Sequence, residues 1–191
     1  AGNAIGITTK TASAWVSVLE TSRQITLLEP YFGNLGKRLV KTPKLFFNDT
    51  GLLCWLLGID QSNVERTPFR GSLQETAVFA EIRKSIQRRA LNRRVYYYRD
   101  RNGTEVDFLI LGNGAHLIEA KLTEQPRSDD AKGLIKLTGI ARQAMGFDGG
   151  APELDPIRHT MVCGTPNDYV LRAGGLDITV TNLAGMDAVL G

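Results

Sequence analysis

Two charged residues interrupt an apolar segment with the composition of a β-strand, residues 116–122, HLIEAKL. Side chains alternate along a strand, so Glu119 and Lys121 point to the same face of the predicted sheet. Burying an unpaired charge is costly. The spacing therefore predicts either a partner that compensates the two charges or a half-exposed strand on which they form a surface ion pair.

A second strand with an acidic residue precedes this one, residues 104–111, TEVDFLIL, and the turn between the two contains Asn-Gly, a strong hairpin signal. A three-residue loop, 112–114, places Asp107 directly opposite Glu119. A two-residue Asn-Gly loop shifts the pairing by one residue and turns Asp107 to the other face, unless a bulge intervenes. Gly114 in a left-handed conformation suits the three-residue form. We therefore expect the two carboxylates to lie close together.

Carboxylates that face each other repel, and a bound divalent cation removes that repulsion. Oxygen ligands are typical of Mg²⁺ and Mn²⁺ sites, so Asp107 and Glu119 are predicted metal ligands. A lysine beside them neutralises charge on a phosphate or holds a water nucleophile. Asp107, Glu119 and Lys121 are thus the predicted catalytic residues of a metal-dependent phosphodiesterase.

The elements that must position these residues follow an α/β pattern over residues 71–191. Helix, strand and turn signals give the order α-β-β-β-α-β-β, which predicts a mixed sheet flanked by helices. The predicted elements are a helix over 72–92, strands at 94–99, 104–111 and 116–123, a helix over 129–146, and strands at 158–164 and 176–183.

Residues 1–58 are predicted to form a winged-helix-like module and a following helix. A helix that begins after Thr8 or Thr9 precedes two basic strand segments joined by Gly-Asn-Leu-Gly, the pattern of the back half of a winged helix. The short apolar helix has Asp49 or Thr50 as its N-cap and ends at Gly58. The polar residues 59–70 are the predicted linker.

The composition is that of an ordinary globular protein, with 42% hydrophobic and 23% charged residues and a net charge of +3. Cys54 and Cys163 lie in apolar stretches, which predicts reduced thiols and a cytoplasmic protein. The longest apolar run, about nine residues, is far below the roughly 20 of a membrane span. The sequence begins without methionine, in what reads as the interior of a longer protein.

The pattern EVD…IEAK resembles the core of the PD-(D/E)xK nucleases, and the α-β-β-β-α-β order agrees with their fold. The resemblance implies that Asp107 and Glu119 hold the metal and that Lys121 positions the attacking water. Val106 stands where the motif name has proline, a position that varies widely in that superfamily.

Many members of that superfamily add a glutamate from the preceding helix, and Glu75 matches its place. The resemblance makes Glu75 a third predicted metal ligand. The alternative interpretation is structural, because Ser72 and Glu75 form the S-x-x-E pattern of a capping box.

Longer blocks resemble a bacterial and archaeal ATPase family, in the order KTPKLFFNDTGLLCWLLG, GSLQETAVFAEIRK, YYYRDRNGTEVDFLI and HLIEAKLT. Those proteins have an AAA+-type ATPase, a winged helix and a C-terminal domain related to the nucleases. The resemblance implies an N-terminal ATPase domain as partner in the same polypeptide. Residues 31–39 lack the first glycine and the Ser/Thr of a phosphate loop, so no nucleotide site is predicted here.

Two functions follow from these patterns: a metal-dependent nuclease acting on DNA, or a catalytically inactive nuclease-like module that binds DNA or protein for the ATPase. Cations at the start of the first helix, in the wing and at the end of the third helix are the predicted nucleic-acid contacts. They are Lys10, Lys37, Arg38, Lys41, Arg88, Arg89 and Arg93.

Overall fold

The computed structural model describes residues 6–33, 40–145, 154 and 156–191. Its N-terminal part contains two helices and a two-stranded antiparallel sheet. The Thr8 hydroxyl accepts a hydrogen bond from the Thr11 backbone and caps the first helix, while Asp49 caps the second through Leu52. The elements are α1 Thr9–Thr21, β1 Ile25–Leu28, β2 Lys44–Phe47 and α2 Thr50–Leu56.

The remainder forms a six-stranded mixed sheet with helices on both faces, which confirms the predicted α/β class. The strand order is β3-β4-β5-β6-β8-β7; β5, β6 and β8 run parallel and the other pairs antiparallel. The elements are α3 Arg70–Arg88, β3 Arg94–Arg99, β4 Glu105–Gly112, β5 Gly114–Ala120, α4 Lys132–Met145, β6 Ile157–Val162, β7 Tyr169–Ala173, β8 Leu176–Thr181 and α5 Met186–Leu190.

One strand was not predicted from the sequence, β7 at the edge of the sheet. It pairs with β8 through a turn at Gly174 and Gly175, both of which have positive φ. A Gly-Gly pair between two short strands is itself a hairpin signal, because both glycines adopt φ values that other residues avoid. The predicted order therefore lacked one strand between β6 and β8.

Two apolar layers hold the sheet between its helices. On one face α4 packs Leu134 and Leu137 among the sheet residues Leu109 and Leu117. On the other face α3 contributes an apolar cluster that also includes residues of β1 and β2. Its members are Leu28, Phe46, Val78, Phe79, Ile82, Tyr97, Phe108, Ile110, Ile118, Val162, Met186 and Leu190. The two-stranded sheet thus shares a core with the α/β unit.

The β4–β5 hairpin has the register expected of the three-residue loop. Phe108 pairs with Ile118 and Gly112 with Gly114, so the next position places Asp107 opposite Glu119. Gly114 has a φ of +77°, and a side chain there would overlap the backbone of Pro156. Only glycine satisfies both conditions at this position. The turn thereby fixes which face of the sheet carries each acidic residue.

Candidate active site

A cavity of about 480 Å³ opens where β4 begins and β5 ends, and its lining is mostly polar. All four residues predicted for the metal site and its chemistry line it: Glu75, Asp107, Glu119 and Lys121. A larger cavity of about 580 Å³ between α3 and the ends of β5 and β6 is mainly apolar and has no carboxylate among the described residues that line it. The smaller cavity is therefore the candidate active site.

Asp107 and Glu119 are both buried at the base of this cavity, with 7% and 8% of their surface exposed. Asp107 accepts a hydrogen bond on Oδ2 from the backbone N–H of Ala120, at 3.0 Å. Glu119 Oε2 is buried and has no hydrogen-bond partner among the described residues. Burial, followed by the negative charge of Asp107, raises the pKa of Glu119 to about 7. A buried carboxylate oxygen without a partner is free to bind a proton or a cation.

Lys121 lies beside Glu119, with its Nζ 2.8 Å from Glu119 Oε1. Burial lowers the pKa of Lys121, but the charge of Glu119 and its hydrogen bond outweigh burial and raise the pKa overall. The ammonium is therefore protonated at neutral pH and acts as a fixed positive charge rather than as a base. Gln74 donates hydrogen bonds to the carbonyls of Lys121, at 2.6 Å, and Val162, at 3.2 Å, which hold the end of β5 in place.

Glu75 faces the cavity from the second turn of α3. The helix begins at Arg70, and its N-cap, Phe69, makes no side-chain hydrogen bond. The capping box suggested by Ser72 and Glu75 is therefore wrong, because both residues lie inside the helix. Burial and then the charge of Asp107 raise the pKa of Glu75, so it belongs electrostatically to the same cluster.

The sequence did not reveal Lys44 as part of the site. Its Nζ lies 2.7 Å from Glu105 and 3.4 Å from both Glu75 and Asp107. Lys44 begins β2, on the same side of the strand as the buried Phe46. A charged residue within an apolar strand is the signal that marked Glu119 and Lys121, and Lys44 in the strand KLFF gives the same signal. It was overlooked because β2 was assigned to the wing of a separate module.

The donor set fits Mg²⁺ or Mn²⁺ at its Asp107–Glu119 half. Those two residues offer carboxylate oxygens, including the unpartnered Glu119 Oε2, and hard divalent cations take such ligands. Within the described ranges, no three His, Cys, Asp or Glu side chains converge at metal-ligand distances. The three carboxylates Glu75, Glu105 and Asp107 surround the Lys44 ammonium instead.

Comparison with known proteins places this site in a family without an assigned activity. Residues 70–174, more than half of the chain, match a domain of unknown function, DUF4143. The chain belongs to the DUF4143 family. Residues 1–63 match another domain of unknown function, DUF8612, so the gap between the two matches lies within the predicted linker, 59–70.

Two relatives of this DUF4143 protein are the uncharacterized proteins Mb2031c of Mycobacterium bovis and Rv2008c of Mycobacterium tuberculosis. Each is 31% identical over 170 residues, which cover 87% of this chain and 37% of the relative. The chain thus spans little more than a third of the length of these relatives. Within the part of the chain that the structure describes, both cysteines are free thiols and no helix has the length and apolar character to cross a membrane.

Those predicted nucleic-acid contacts of the DUF4143 protein that the structure describes do not line the cavity. Lys10 and Lys41 are exposed, and Lys37 and Arg38 lie outside the described residues. The three predicted arginines, one at the end of α3 and two after it, interact with residues of α5. Arg88 and Arg89 form ion pairs with Asp187, and Arg93 donates to the carbonyl of Leu190.

Two other lysines do line the cavity, Lys132 and Lys136 at the start of α4. The helix lies against β4 at Gly133, where a side chain would overlap the carbonyl of Glu105. This close approach brings the lysines to the rim of the acidic site. The cavity therefore combines carboxylates at its base with three cations, Lys121, Lys132 and Lys136.

The raised pKa of Glu119 predicts a pH-dependent stability in the absence of divalent cations. Between its ordinary pKa of 4.5 and about 7 the folded state binds the proton and the unfolded state does not. The contribution of Glu119 is therefore full below pH 4.5 and is lost as pH rises to about 7. In EDTA, the stability of the wild type relative to Glu119→Gln is expected to fall between about pH 5 and 7.5. Urea unfolding at several pH values measures it, and a pH-independent difference would contradict the assignment.

Proposed function

We propose that this chain is a divalent-metal-dependent phosphodiesterase of the PD-(D/E)xK type that acts on DNA. The observation that carries the proposal is the placement of Asp107 and Glu119 opposite each other on adjacent strands, with Lys121 hydrogen-bonded to Glu119 and a buried oxygen of Glu119 left without a partner. Mg²⁺ or Mn²⁺ would be held by Asp107 and Glu119, with Glu75 on the far side of Asp107.

In such a hydrolysis a water oxygen bonds to phosphorus while the bond from phosphorus to the leaving sugar oxygen breaks. The attacking water loses a proton to solvent, and the leaving oxygen takes one up from solvent. Asp107 and Glu119 would hold the metal, whose contribution would be to lower the pKa of water and to offset the negative charge of the phosphate. The protonated Lys121 donates hydrogen bonds to the incoming water or to a phosphate oxygen, and so stabilises the charge that develops in the transition state. Gln74 fixes the backbone from which Lys121 projects, which keeps that ammonium in place.

A phosphate approaching this site meets cations before it meets carboxylates. Lys132 and Lys136 line the cavity beside the acidic residues, and lysine side chains are common contacts of the nucleic-acid backbone. The exposed Lys10 and Lys41 would extend the contact if residues 1–58 act as a winged helix. Arg88, Arg89 and Arg93, engaged by α5, contribute less to this surface.

A second function is favoured by one observation, the ion pairs that Lys44 makes in the carboxylate cluster. Where a lysine already neutralises the carboxylates, the binding of a metal ion relieves less charge repulsion. The chain would then be an inactive nuclease-like module that binds DNA or protein. Either function would serve a longer protein with an attached ATPase domain, in keeping with relatives more than twice the length of this chain.

Cleavage of supercoiled plasmid by the purified chain separates the two functions. The nuclease is expected to convert the plasmid to its nicked form in Mn²⁺ or Mg²⁺ and to be inhibited by EDTA. The absence of cleavage with both metals, on plasmid and on single-stranded DNA, would reject it. Salt-sensitive DNA binding by such an inactive protein would then support the binding module.

A further inference from the structure

The acidic cavity has two halves that share Asp107. Toward one side, Asp107 Oδ2 accepts from the Ala120 N–H and faces Glu119, whose Oε2 is buried without a partner among the described residues. Toward the other side, Asp107 Oδ1 lies 3.4 Å from the Lys44 ammonium, which also contacts Glu75 and Glu105. In the first half Lys121 pairs only with Glu119 Oε1, so one buried carboxylate oxygen keeps no partner. In the second half the Lys44 ammonium lies among all three carboxylates.

Lys44 is held in this position by more than its ion pairs. Its side chain is 21% exposed, and its ammonium lies 5.4 Å from the centre of the Tyr97 ring. Phe46, two residues further along β2, is buried between α3 and the sheet. The strand that carries Lys44 is therefore anchored in the core, and the ammonium is a fixed part of the site rather than a mobile surface charge.

We propose that Lys44 is the resident cation of the Glu75–Glu105–Asp107 half, so that the site takes a single divalent ion, bound at the Asp107–Glu119 half. Three carboxylates lie within 3.4 Å of the Lys44 ammonium, and without that lysine their combined negative charge would attract a second divalent ion. A lysine in that position supplies a positive charge that does not dissociate from the protein. Its ammonium repels a divalent ion and occupies the space that the ion would need. Binding of the first metal ion at the Asp107–Glu119 half rests on the proposed function. The exclusion of a second ion by Lys44 does not depend on that function.

As a consequence, β2 supplies the α/β unit with the residue that sets how many divalent ions its site binds. Lys44 and Asp107 are 63 residues apart in sequence, and Lys44 precedes the segment matched to DUF4143. An α/β unit whose β2 is displaced would gain a second metal position. Lys44 is a positioning residue in this scheme, because it acts through the carboxylates and not on the substrate.

Isothermal titration with Mn²⁺, together with electron paramagnetic resonance of the bound ion, tests the inference without reference to activity. Lys44→Met removes the charge and keeps the bulk of the side chain, Lys44→Arg keeps the charge, and Lys84→Met removes one lysine from the exposed face of α3. The wild type, Lys44→Arg and Lys84→Met are each expected to bind one Mn²⁺. Lys44→Met is expected to bind one more, with the first ion held about tenfold more tightly, since a like charge a few ångströms away is gone.

The decisive result is the gain of one Mn²⁺ in Lys44→Met relative to the wild type. That gain supports the inference even if the wild type binds none, a result that would reject the proposed function instead. An unchanged stoichiometry in folded Lys44→Met overturns it, whatever happens to the affinity and even if the wild type binds Mn²⁺ and cleaves DNA. If Lys44→Met does not fold, Lys44→Gln removes the charge, keeps an amide donor toward the carboxylates and leaves all three of them in place, and the same gain is expected of it.

Discussion

Replacing Lys121 by alanine is expected to reduce metal-dependent DNA cleavage strongly while leaving Mn²⁺ bound. The Lys121 ammonium is the protonated donor nearest to the carboxylate with the unpartnered oxygen, 2.8 Å from Glu119. Removing one preorganised donor from a transition state reduces kcat by about 10² to 10³. Mn²⁺ binding persists or tightens, because Glu119 no longer shares its charge with an ammonium. Single-turnover nicking and Mn²⁺ titration on the same preparation measure both effects.

Asp107→Ala is the contrasting variant, because it removes a ligand that both halves of the cavity share. It is expected to lose Mn²⁺ binding and cleavage together, whereas Lys121→Ala loses cleavage alone. Lys84→Ala, in which the lost ion pair to Glu81 is exposed, provides the control and is expected to keep both properties. Cleavage at the wild-type rate in both Lys121→Ala and Asp107→Ala would identify a contaminating nuclease and remove the catalytic role of this site.

The part of the site that could be predicted from sequence lies within one hairpin. Asp107, Glu119 and Lys121 are on neighbouring strands, and alternation together with the glycines of the turn determines their shared face. Glu75 required the family resemblance, because periodicity alone also allowed a capping role. Local sequence patterns specify the strands β3 to β5 and the helices α3 and α4. These elements were predicted with bounds close to those observed.

The features that escaped prediction depend on contacts between distant parts of the chain. The position of Lys44 depends on β1 and β2 packing against α3, and no local spacing reports that docking. The arginines after α3 looked like a free basic cluster, because their partner Asp187 lies almost 100 residues further on. The sequence gives the number of basic side chains, whereas ion pairs formed in the folded structure determine which of them remain available to a ligand.

Phe46→Ala is expected to destabilise the protein by about 3 to 5 kcal/mol, the range for a buried phenylalanine. Phe46 is 4% exposed and its ring lies 4.7 Å from Phe79 of α3 and 5.8 Å from Phe108 of β4, centre to centre. It is the aromatic contact that joins the two-stranded sheet to the α/β unit. Urea unfolding followed by circular dichroism and by tryptophan fluorescence measures the loss.

Leu45→Ala is the matched control, because Leu45 directly precedes Phe46 on the same strand but points outward and is 45% exposed. Its cost is expected to stay below about 1 kcal/mol. An equal effect of the two substitutions would show that β2 is not anchored through Phe46. If it is anchored there, Phe46→Ala also loosens Lys44, two residues away, and the Mn²⁺ affinity of the folded variant should rise toward that of Lys44→Met. The packing of Phe46 in the core and the position of the Lys44 ammonium beside Asp107 would then be linked through β2.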